Sequence, residues 1–444
     1  MTSSSSDRQA KVETAVVVHP VRPRAAALRS PEQRLEEAVG LAEALDLQVR
    51  EQLLVPVRSV TPATLLGKGK VEELATVCAG LQIDVVVIDD ALTPVQQRNL
   101  EKAWQVKVID RTGLILEIFA RRARTREGRL QVELARLAYE RSRLVRTWTH
   151  LERQRGGFGV MGGPGETQIE TDRRLLAERI GKLKRELEDV RRTRGLHRQA
   201  RKRVPYPILA LVGYTNAGKS TLFNRLAQAQ VDARDLLFAT LDPTRRALKL
   251  PGGQVAILSD TVGFISDLPH ELVEAFRATL EEVQEADVVL HVRDIASEES
   301  EAQAADVAEV LGEIGAGAQS ARAMIEVWNK IDLLPPADRE TLLGRSLRRD
   351  GASAPVVAVS AISGEGCDRL LRFLAELVDQ GAPIEAQLQP QDGEALAWLY
   401  RHGRVLRRAE DDAGVVQLAV RLDAQALGQF ERLFPQTLLR EAAE

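Results

Sequence analysis

One eight-residue stretch, Gly213-Tyr214-Thr215-Asn216-Ala217-Gly218-Lys219-Ser220, has the residue types and spacing of a phosphate-binding loop. Glycines at both ends let the backbone wrap closely around an anion, so that successive N–H groups and the next helix N-terminus face phosphate oxygens. Lys219 can then reach the β- and γ-phosphates, and Ser220 can ligate Mg²⁺. The apolar run 208–212 precedes the loop and a helical pattern begins at Thr221, which is the context that a phosphate-binding loop requires.

Two downstream segments can complete a metal and γ-phosphate site. In the polar break Phe238-Ala239-Thr240-Leu241-Asp242-Pro243-Thr244, we select Thr240 as a hydroxyl ligand of Mg²⁺ and keep Thr244 in reserve. A predicted strand ends in Asp260-Thr261-Val262-Gly263, where Asp260 can hold Mg²⁺ through water and Gly263 can offer its N–H to the γ-phosphate. We therefore predict three metal ligands, Ser220, Thr240 and Asp260, and three catalytic residues, Lys219, Thr240 and Gly263.

A third pattern indicates which nucleotide base the domain binds. Asn329-Lys330-Ile331-Asp332 follows an apolar run, and the Asp332 carboxylate can accept both the N1–H and the exocyclic amine of guanine, which adenine does not offer. Ser360-Ala361 follows another apolar run and can donate backbone N–H groups to the guanine oxygen. These elements, in this order, predict a Ras-like GTPase domain over residues 205–382 that uses GTP and Mg²⁺, with the predicted nucleotide-binding residues being 213–221, 238, 240, 260–263, 329–332, 360 and 361.

The elements ahead of this domain predict a small parallel α/β domain over residues 13–120, after a polar tail at 1–12 that we predict to be disordered. Short β-branched runs at 14–18, 48–55, 85–88 and 106–109 alternate with helical patterns at 32–45, 71–81 and 94–104. Gly67-Lys68-Gly69-Lys70 resembles a degenerate phosphate loop, but no Ser or Thr follows it. We therefore interpret it as a helix-entry turn.

Residues 121–204 predict a basic antiparallel helical hairpin. Apolar side chains recur at helical spacing over 129–155, and at coiled-coil steps over 166–194. Residues 120–203 hold 24 Lys and Arg against 11 Asp and Glu, whereas the rest of the chain holds 37 against 53. A basic block inside an acidic protein suits a phosphate-rich partner, although solvated helix faces alone can also carry many arginines.

The predicted tip of this hairpin, Gly156 to Gly165, contains six glycines in ten residues together with Phe158 and Met161. Part of it fits a dinucleotide fingerprint, which we reject because no strand precedes it and charged helices flank it. Bare backbone and two apolar side chains suit insertion into folded RNA, where shape and phosphates are read. The alternative is a mobile connection between two helices.

The remaining expectations concern the C-terminal domain, the cysteines and the location of the protein. Residues 383–444 predict a small α+β domain. Cys78 and Cys367 lack metal-ligand spacing and are typical of a reducing cytoplasm, and no apolar run approaches the length of a membrane span. We expect a cytoplasmic protein that is a monomer when free.

Several stretches together resemble the HflX family of ribosome-associated GTPases over nearly the whole chain. They are 65–70, 148–154, the glycine-rich 163–174, 238–243 and Leu268-Pro269-His270. The resemblance implies binding to the large ribosomal subunit and its RNA, GTP hydrolysis stimulated by that subunit, and splitting of stalled ribosomes under stress, with the hairpin tip near the peptidyl-transferase centre. The alternatives are a GTP-dependent switch acting on protein partners, and an RNA-binding protein with a vestigial nucleotide site.

Overall fold

Two α/β units, a helical hairpin and a small α+β unit make up the computed structural model. It describes residues 12–22, 29–154, 164–201, 206–229, 237–238, 240–251, 253–267, 282–316, 323–345, 354–378, 383–410, 414–422 and 424–441. The predicted tail up to residue 11, the glycine-rich tip at 156–163 and the end of the basic linker at 202–203 lie outside these ranges.

The N-terminal unit is the predicted parallel α/β domain. Its sheet has the order β2-β1-β3-β4, every pair parallel, with both faces covered by helices. Capping residues fix helix starts: Ser30 and Thr93 each form a capping box, with Pro31 or Pro94 as the first helical residue. The elements are β1 Thr14–Val21, α1 Pro31–Glu43, β2 Gln48–Pro56, α2 Lys68–Leu81, β3 Val85–Ile88, α3 Pro94–Trp104, β4 Lys107–Asp110 and α4 Arg111–Arg122.

Two details of this unit bear on the sequence predictions. Gly67 is the N-cap of α2, so Gly67 to Lys70 is the predicted helix-entry turn. Helix α4 was not predicted. Its N-cap Asp110 is also the last residue of β4 and accepts from the Gly113 N–H at 2.8 Å, so no loop separates the strand from the helix.

The hairpin consists of α5 Arg126–Gln154 and α6 Pro164–Arg201. Arg179 on α6 forms an ion pair with Glu133 on α5. An apolar seam joins the two helices as the spacing predicts, and its members are Leu130, Leu134, Leu137, Leu176, Ile180, Leu183, Leu187 and Val190.

The nucleotide unit is built on a six-stranded sheet of order β10-β9-β8-β5-β7-β6. Every pair is parallel except β6 with β7, so most strands end at one edge, where ligands bind in open α/β sheets. The elements are β5 Ile208–Gly213, α7 Lys219–Ala227, β6 Thr244–Lys249, β7 Val255–Asp260, β8 Val288–Asp294, α8 Ser300–Glu313, β9 Ala323–Asn329, a 3₁₀ turn Ile331–Leu333, α9 Pro336–Arg345, β10 Val356–Ala358 and α10 Cys367–Val378.

The C-terminal unit is the predicted small α+β domain, with a βαββαβ order and an antiparallel sheet β12-β13-β11-β14. This is the ferredoxin-like arrangement. Its elements are β11 Pro383–Leu388, α11 Gly393–His402, β12 Arg404–Glu410, β13 Val416–Arg421, α12 Ala424–Leu433 and β14 Leu438–Glu441. Among the described helices of the whole chain, none combines the length and apolarity needed to cross a membrane.

Candidate nucleotide site

The phosphate-binding loop joins β5 to α7, and two of its glycines cannot be replaced without a clash. Gly213 has φ 151° and Gly218 has φ 90°, which L side chains rarely adopt. A Cβ on Gly213 would lie 2.2 Å from the Val292 carbonyl oxygen, and one on Gly218 would lie 2.3 Å from Asn329 Nδ2. Close packing thus fixes the loop between β8 and the end of β9.

Lys219, at the start of α7, curls its ammonium back into the loop. Its Nζ donates to the carbonyl oxygens of Gly213 at 3.0 Å and Tyr214 at 2.7 Å. Burial lowers the pKa of Lys219 to about 8, and nearby Asp260 only partly opposes this. Neutral carbonyl oxygens offset only part of the positive charge of a buried ammonium. Lys219 can therefore bind negatively charged phosphate oxygens favourably.

The three predicted metal ligands meet at the end of β7. Ser220 Oγ lies 2.7 Å from Asp260 Oδ2 and 2.8 Å from Thr240 Oγ1, and Thr240 Oγ1 lies 3.0 Å from Asp260 Oδ2. Asp260 is fully buried, burial raises its pKa, and its Oδ1 has no hydrogen-bond partner within the described residues. A set of hard oxygens with one orphaned carboxylate oxygen fits Mg²⁺. Thr244, the alternative metal ligand, is the first residue of β6 and is paired with Asp260 in the sheet register.

The segment after Asp260 returns to the phosphate loop. The Thr215 N–H donates to the Phe264 carbonyl oxygen at 2.7 Å, and the Phe264 N–H donates to the Gly213 carbonyl oxygen at 3.1 Å. A Cβ on Gly263 would come within 2.9 Å of Thr215 Cγ2 and 3.0 Å of the Thr215 Cα and Lys219 Nζ, so a side chain there would crowd the phosphate loop. Thr261 donates to the Leu211 carbonyl oxygen and Val262 is buried, so these two act as structural supports.

These residues enclose one polar pocket. Its walls include ten of the predicted nucleotide-binding residues, namely Thr215, Asn216, Gly218, Lys219, Ser220, Thr221, Phe238, Thr240, Thr261 and Gly263.

The residues predicted to read guanine lie at the C-terminal end of β9. Asn329 Nδ2 donates to the Ala217 carbonyl oxygen at 2.8 Å, and its Oδ1 accepts from the Ala361 N–H at 3.0 Å, so one amide ties this end to the phosphate loop. Lys330 has φ 65° and pairs with Asp294 at 2.8 Å. Asp332 Oδ1 is a buried oxygen with no partner among the described residues. Its position on the 3₁₀ turn, after fully buried Ile331, suits the predicted contact with guanine.

The backbone donors assigned to Ser360 and Ala361 are engaged within the protein. Besides the Ala361 bond to Asn329, the Ser360 N–H donates to the Glu365 carbonyl oxygen at 2.8 Å. Each donor must therefore share or exchange a partner to reach a guanine oxygen, and their contact with the base stays a prediction.

Tyr214 lies in the phosphate loop, but its side chain points away from the pocket into the N-terminal unit. Its hydroxyl donates to Glu37 on α1, and it accepts from Arg29 Nη1 at 2.9 Å and from the Ser266 N–H at 2.8 Å. Ser266 Oγ also donates to Glu37 at 2.8 Å. This contact between domains, through Glu37, was not predicted, because a glutamate on a helical pattern usually marks a solvated face.

Arg111, the first residue of α4, anchors the same cluster. It is 5% exposed and bonds Asp89 Oδ1 at 2.6 Å, Glu37 Oε1 at 2.5 Å and Ser266 Oγ at 2.9 Å. His19 Nδ1 lies 2.7 Å from the second oxygen of Asp89. Burial opposes ionisation of Asp89, but Arg111 and His19 outweigh it and hold the pKa of Asp89 below its usual value. We call Glu37, Arg111, Asp89, His19 and Tyr214 the interface cluster.

Comparison with known proteins follows the same division of the chain. Four family models match: "GTP-binding GTPase N-terminal" at residues 32–120, "GTP-binding GTPase Middle Region" at 122–201, "50S ribosome-binding GTPase" at 208–330 and "HflX C-terminal domain" at 346–442.

Among solved structures, a GTP-binding protein from Sulfolobus solfataricus in complex with GDP is 25% identical, covers 83% of this chain and 99% of its own, and has a TM-score of 0.45. GTPase HflX of Magnetococcus marinus is 52% identical over 90% of this chain and 91% of its own length. GTPase HflX of Escherichia coli is 43% identical over 87% and 89%. The chain therefore belongs to the HflX family of GTPases.

Proposed function

We propose that this protein hydrolyses GTP on the large ribosomal subunit, with the basic hairpin contacting ribosomal RNA, and that it splits or rescues stalled ribosomes. The observation that carries the proposal is that Lys219, Asp260 and Asp332 lie at the same edge of one sheet, with two carboxylate oxygens that have no partner among the described residues where Mg²⁺ and guanine are expected. An intact site of this kind argues against an RNA-binding protein with a vestigial nucleotide site.

The residues divide the work of hydrolysis between them. The phosphate loop and Lys219 hold the β- and γ-phosphates, Gly263 presents its N–H to the γ-phosphate, and Asp332 selects guanine. Ser220, Thr240 and Asp260 would hold Mg²⁺, which neutralises phosphate charge when bound. Chemistry of this type depends on positioning and electrostatics, and both are built into the loop.

Phe264 implies that a partner assists. Many GTPases carry a water-orienting glutamine near this position. Phe264 is 2% exposed and packs in the core between the domains, and a phenyl ring does not orient water. Intrinsic turnover is therefore slow, and the large subunit accelerates it by ordering the segments around Thr240 and Gly263 or by contributing a group in trans.

The ribosomal partner is supported by the hairpin and by the family. Exposed basic side chains on described turns of α6 include Arg174, Lys182, Lys184 and Arg185. The family model over 208–330 is named for binding the 50S ribosome. A switch acting only on protein partners has no need of such a basic rod.

Sedimentation with purified large subunits tests the partner. Binding of the GTP-analogue form should fall steeply with salt, and neutralising four arginines should reduce the slope of log affinity against log salt by about one for each phosphate that the variant no longer neutralises. The variant replaces Arg153, Arg155, Arg173 and Arg174 by Gln. The matched control replaces four exposed basic residues of the N-terminal domain, Arg50, Arg58, Arg98 and Lys107.

Replacing residues 156–165 with a short Gly/Ser turn tests the tip. GTP affinity of the free protein should be unchanged, while splitting, followed by light scattering, should fall sharply. Salt-independent binding would favour the protein-partner switch, and undiminished splitting by the tip variant would make the tip a simple connector.

A further inference from the structure

The segment that carries Thr240 is held from outside the nucleotide unit. Within the described residues we call 237–238 and 240–242 switch I. The Phe238 ring packs edge-on against Phe119 of α4, with centroids 4.6 Å apart. Leu237 lies over Gly40 of α1, where a Cβ would approach Leu237 Cδ1 to 3.2 Å. The chain segment immediately before Thr240 therefore packs against the N-terminal domain.

The chain segment immediately after Thr240 is bonded to the hairpin through Asp242. Asp242 Oδ2 accepts from the backbone N–H groups of Arg124 at 2.8 Å and Thr125 at 2.9 Å, and Oδ1 accepts from Thr125 Oγ1. Thr125 itself starts α5, because its Oγ1 accepts from the Gly128 N–H at 2.9 Å and its carbonyl oxygen from Arg129. The negative charge of Asp242 thus stands at the N-terminus of the first hairpin helix, where the helix dipole favours it.

Gly128 shows how closely Asp242 fits. A Cβ at position 128 would lie 2.5 Å from Asp242 Oδ1 and 3.1 Å from Thr125 Oγ1. Gly128 lies in the first turn of α5, where its N–H serves the cap. Glycine in a helix is ordinarily unfavourable relative to alanine. At this position its lack of a side chain makes room for a carboxylate from another domain.

We propose that Asp242 is a positioning residue that couples the GTP-dependent placement of Thr240 to the placement of the hairpin. Asp242 is two positions after Thr240, so their Cα atoms are at most about 7 Å apart, and Leu241 between them is 3% exposed. Thr240 therefore does not leave Ser220 and Asp260 without disturbing the contact of Asp242 with α5. Conversely, a rotation of α5 displaces Asp242 and, through it, Thr240.

The structure also gives the sign of the coupling. Thr240 stands beside Ser220 and Asp260, as a metal ligand of the triphosphate state would, while Asp242 is bonded to the start of α5. The two arrangements occur together, so the contact with α5 favours the state that binds GTP with Mg²⁺. By linkage, binding of that nucleotide favours the same hairpin placement to the same degree.

The test uses the full-length chain and two variants that remove the contact from opposite sides. Asp242→Ala removes the carboxylate, and Gly128→Ala displaces it without any change in the nucleotide unit. Gly181→Ala is the matched control, since it also puts a methyl group on a hairpin helix but has open space around it. Asp242→Asn retains oxygen acceptance without charge and should restore part of the effect.

Affinities for GDP and a non-hydrolysable GTP analogue are measured with fluorescent nucleotides in Mg²⁺. Spin labels at Glu188→Cys and Glu340→Cys report the distance between the hairpin and the nucleotide unit, while native Cys78 and Cys367 are buried. In the parent, the distance should differ between the two nucleotides. In Asp242→Ala and Gly128→Ala, that difference should disappear and the preference for the GTP analogue should fall about three- to tenfold, with GDP affinity changed less than about twofold.

Two results would overturn the proposal: a parent distance that ignores the nucleotide, or a Gly128→Ala protein that matches Gly181→Ala in both measurements. No ribosome enters the experiment, and GDP binding by the parent confirms the nucleotide site separately. A failure of this inference is therefore distinguishable from a failure of the proposed function.

Discussion

Asp260 and Asp89 are both buried carboxylates at the ends of parallel strands, yet they are opposite in character. Asp260, in the nucleotide site, has a pKa raised by burial and one oxygen without a partner among the described residues. Asp89, in the interface cluster, has both oxygens bonded and a pKa held low by Arg111 and His19 against its burial. A site that receives a ligand leaves some buried polar atoms without a hydrogen-bond partner in the protein. A cluster that joins domains satisfies the hydrogen bonds of its polar atoms within itself.

The strongest test of this contrast is Arg111→Met. The change leaves Glu37 and Asp89 buried without their cation, and breaking a buried pair in this way costs about 3–5 kcal/mol of unfolding free energy. Denaturant unfolding measures the decrease. The control Arg136→Met removes an exposed ion pair with Glu140 and should cost less than about 1 kcal/mol. Equal decreases in the two variants would mean that the interface cluster is not a structural anchor.

Lys219→Met should reduce activity without reducing stability, in contrast to Arg111→Met. Removing the phosphate partner should reduce the rate of GTP hydrolysis about 10²–10³-fold. Stability of the nucleotide-free protein should hold or rise, because a buried ammonium bonded to two carbonyl oxygens is replaced by an apolar chain of similar length. Phosphate release and thermal unfolding are measured side by side, with exposed Lys249→Met as the control. Retained turnover would move the active site elsewhere.

Asp332→Asn sharpens the contrast at the base. One oxygen of Asp332 has no partner among the described residues and is predicted to accept from the donor pair of guanine, whereas an amide presents a donor in place of one acceptor. GTP affinity should fall about 100-fold and preference should shift toward xanthine nucleotides. Competition binding with GTP and XTP checks this. Unchanged guanine selectivity would show that another residue reads the base.

The smallest expected effect is a pH dependence of nucleotide binding. Phosphate binds the protonated form of Lys219, whose pKa in the free protein is about 8. Above that pH the free site is increasingly neutral, so binding must take up a proton, and GDP affinity should fall by up to about tenfold per pH unit. Below pH 7 this contribution should vanish. Calorimetry in buffers of different ionisation enthalpy counts the protons, and Lys219→Arg should bind without uptake in this range.

The sequence predicts which residues lie together around the phosphate loop, because the chemistry of a nucleotide fixes short motifs. Gly218, Lys219 and Asp260 have roles set by residue type and spacing alone, and helix α3 was predicted with its observed bounds, 94–104. Helix α4 was missed because β4 runs into it without a loop. The C-terminal elements β11, α12 and β14 were also missed, although the apolar side chains of α12 recur at helical spacing and could have indicated a helix.

The interface cluster was beyond prediction for a different reason. Glu37 and Tyr214 are 177 positions apart, and Glu37 and Arg111 are 74 apart. The residue types of Glu37 and Arg111 do not indicate burial, since a charged residue on a helical pattern is ordinarily solvated. Only the packing of α1 and α4 against the nucleotide unit brings these groups together.

The contact between Asp242 and α5 affects how the protein can be divided. A fragment that ends near residue 201, where the middle-region family model stops, retains the whole N-terminal sheet and hairpin but lacks Asp242, Phe238 and Tyr214. In that fragment the backbone N–H groups of Arg124 and Thr125 are without the carboxylate that they bond here, and Phe119 is without its ring partner Phe238. Activities measured on such a truncated chain therefore describe a hairpin whose first helix begins without its normal partner.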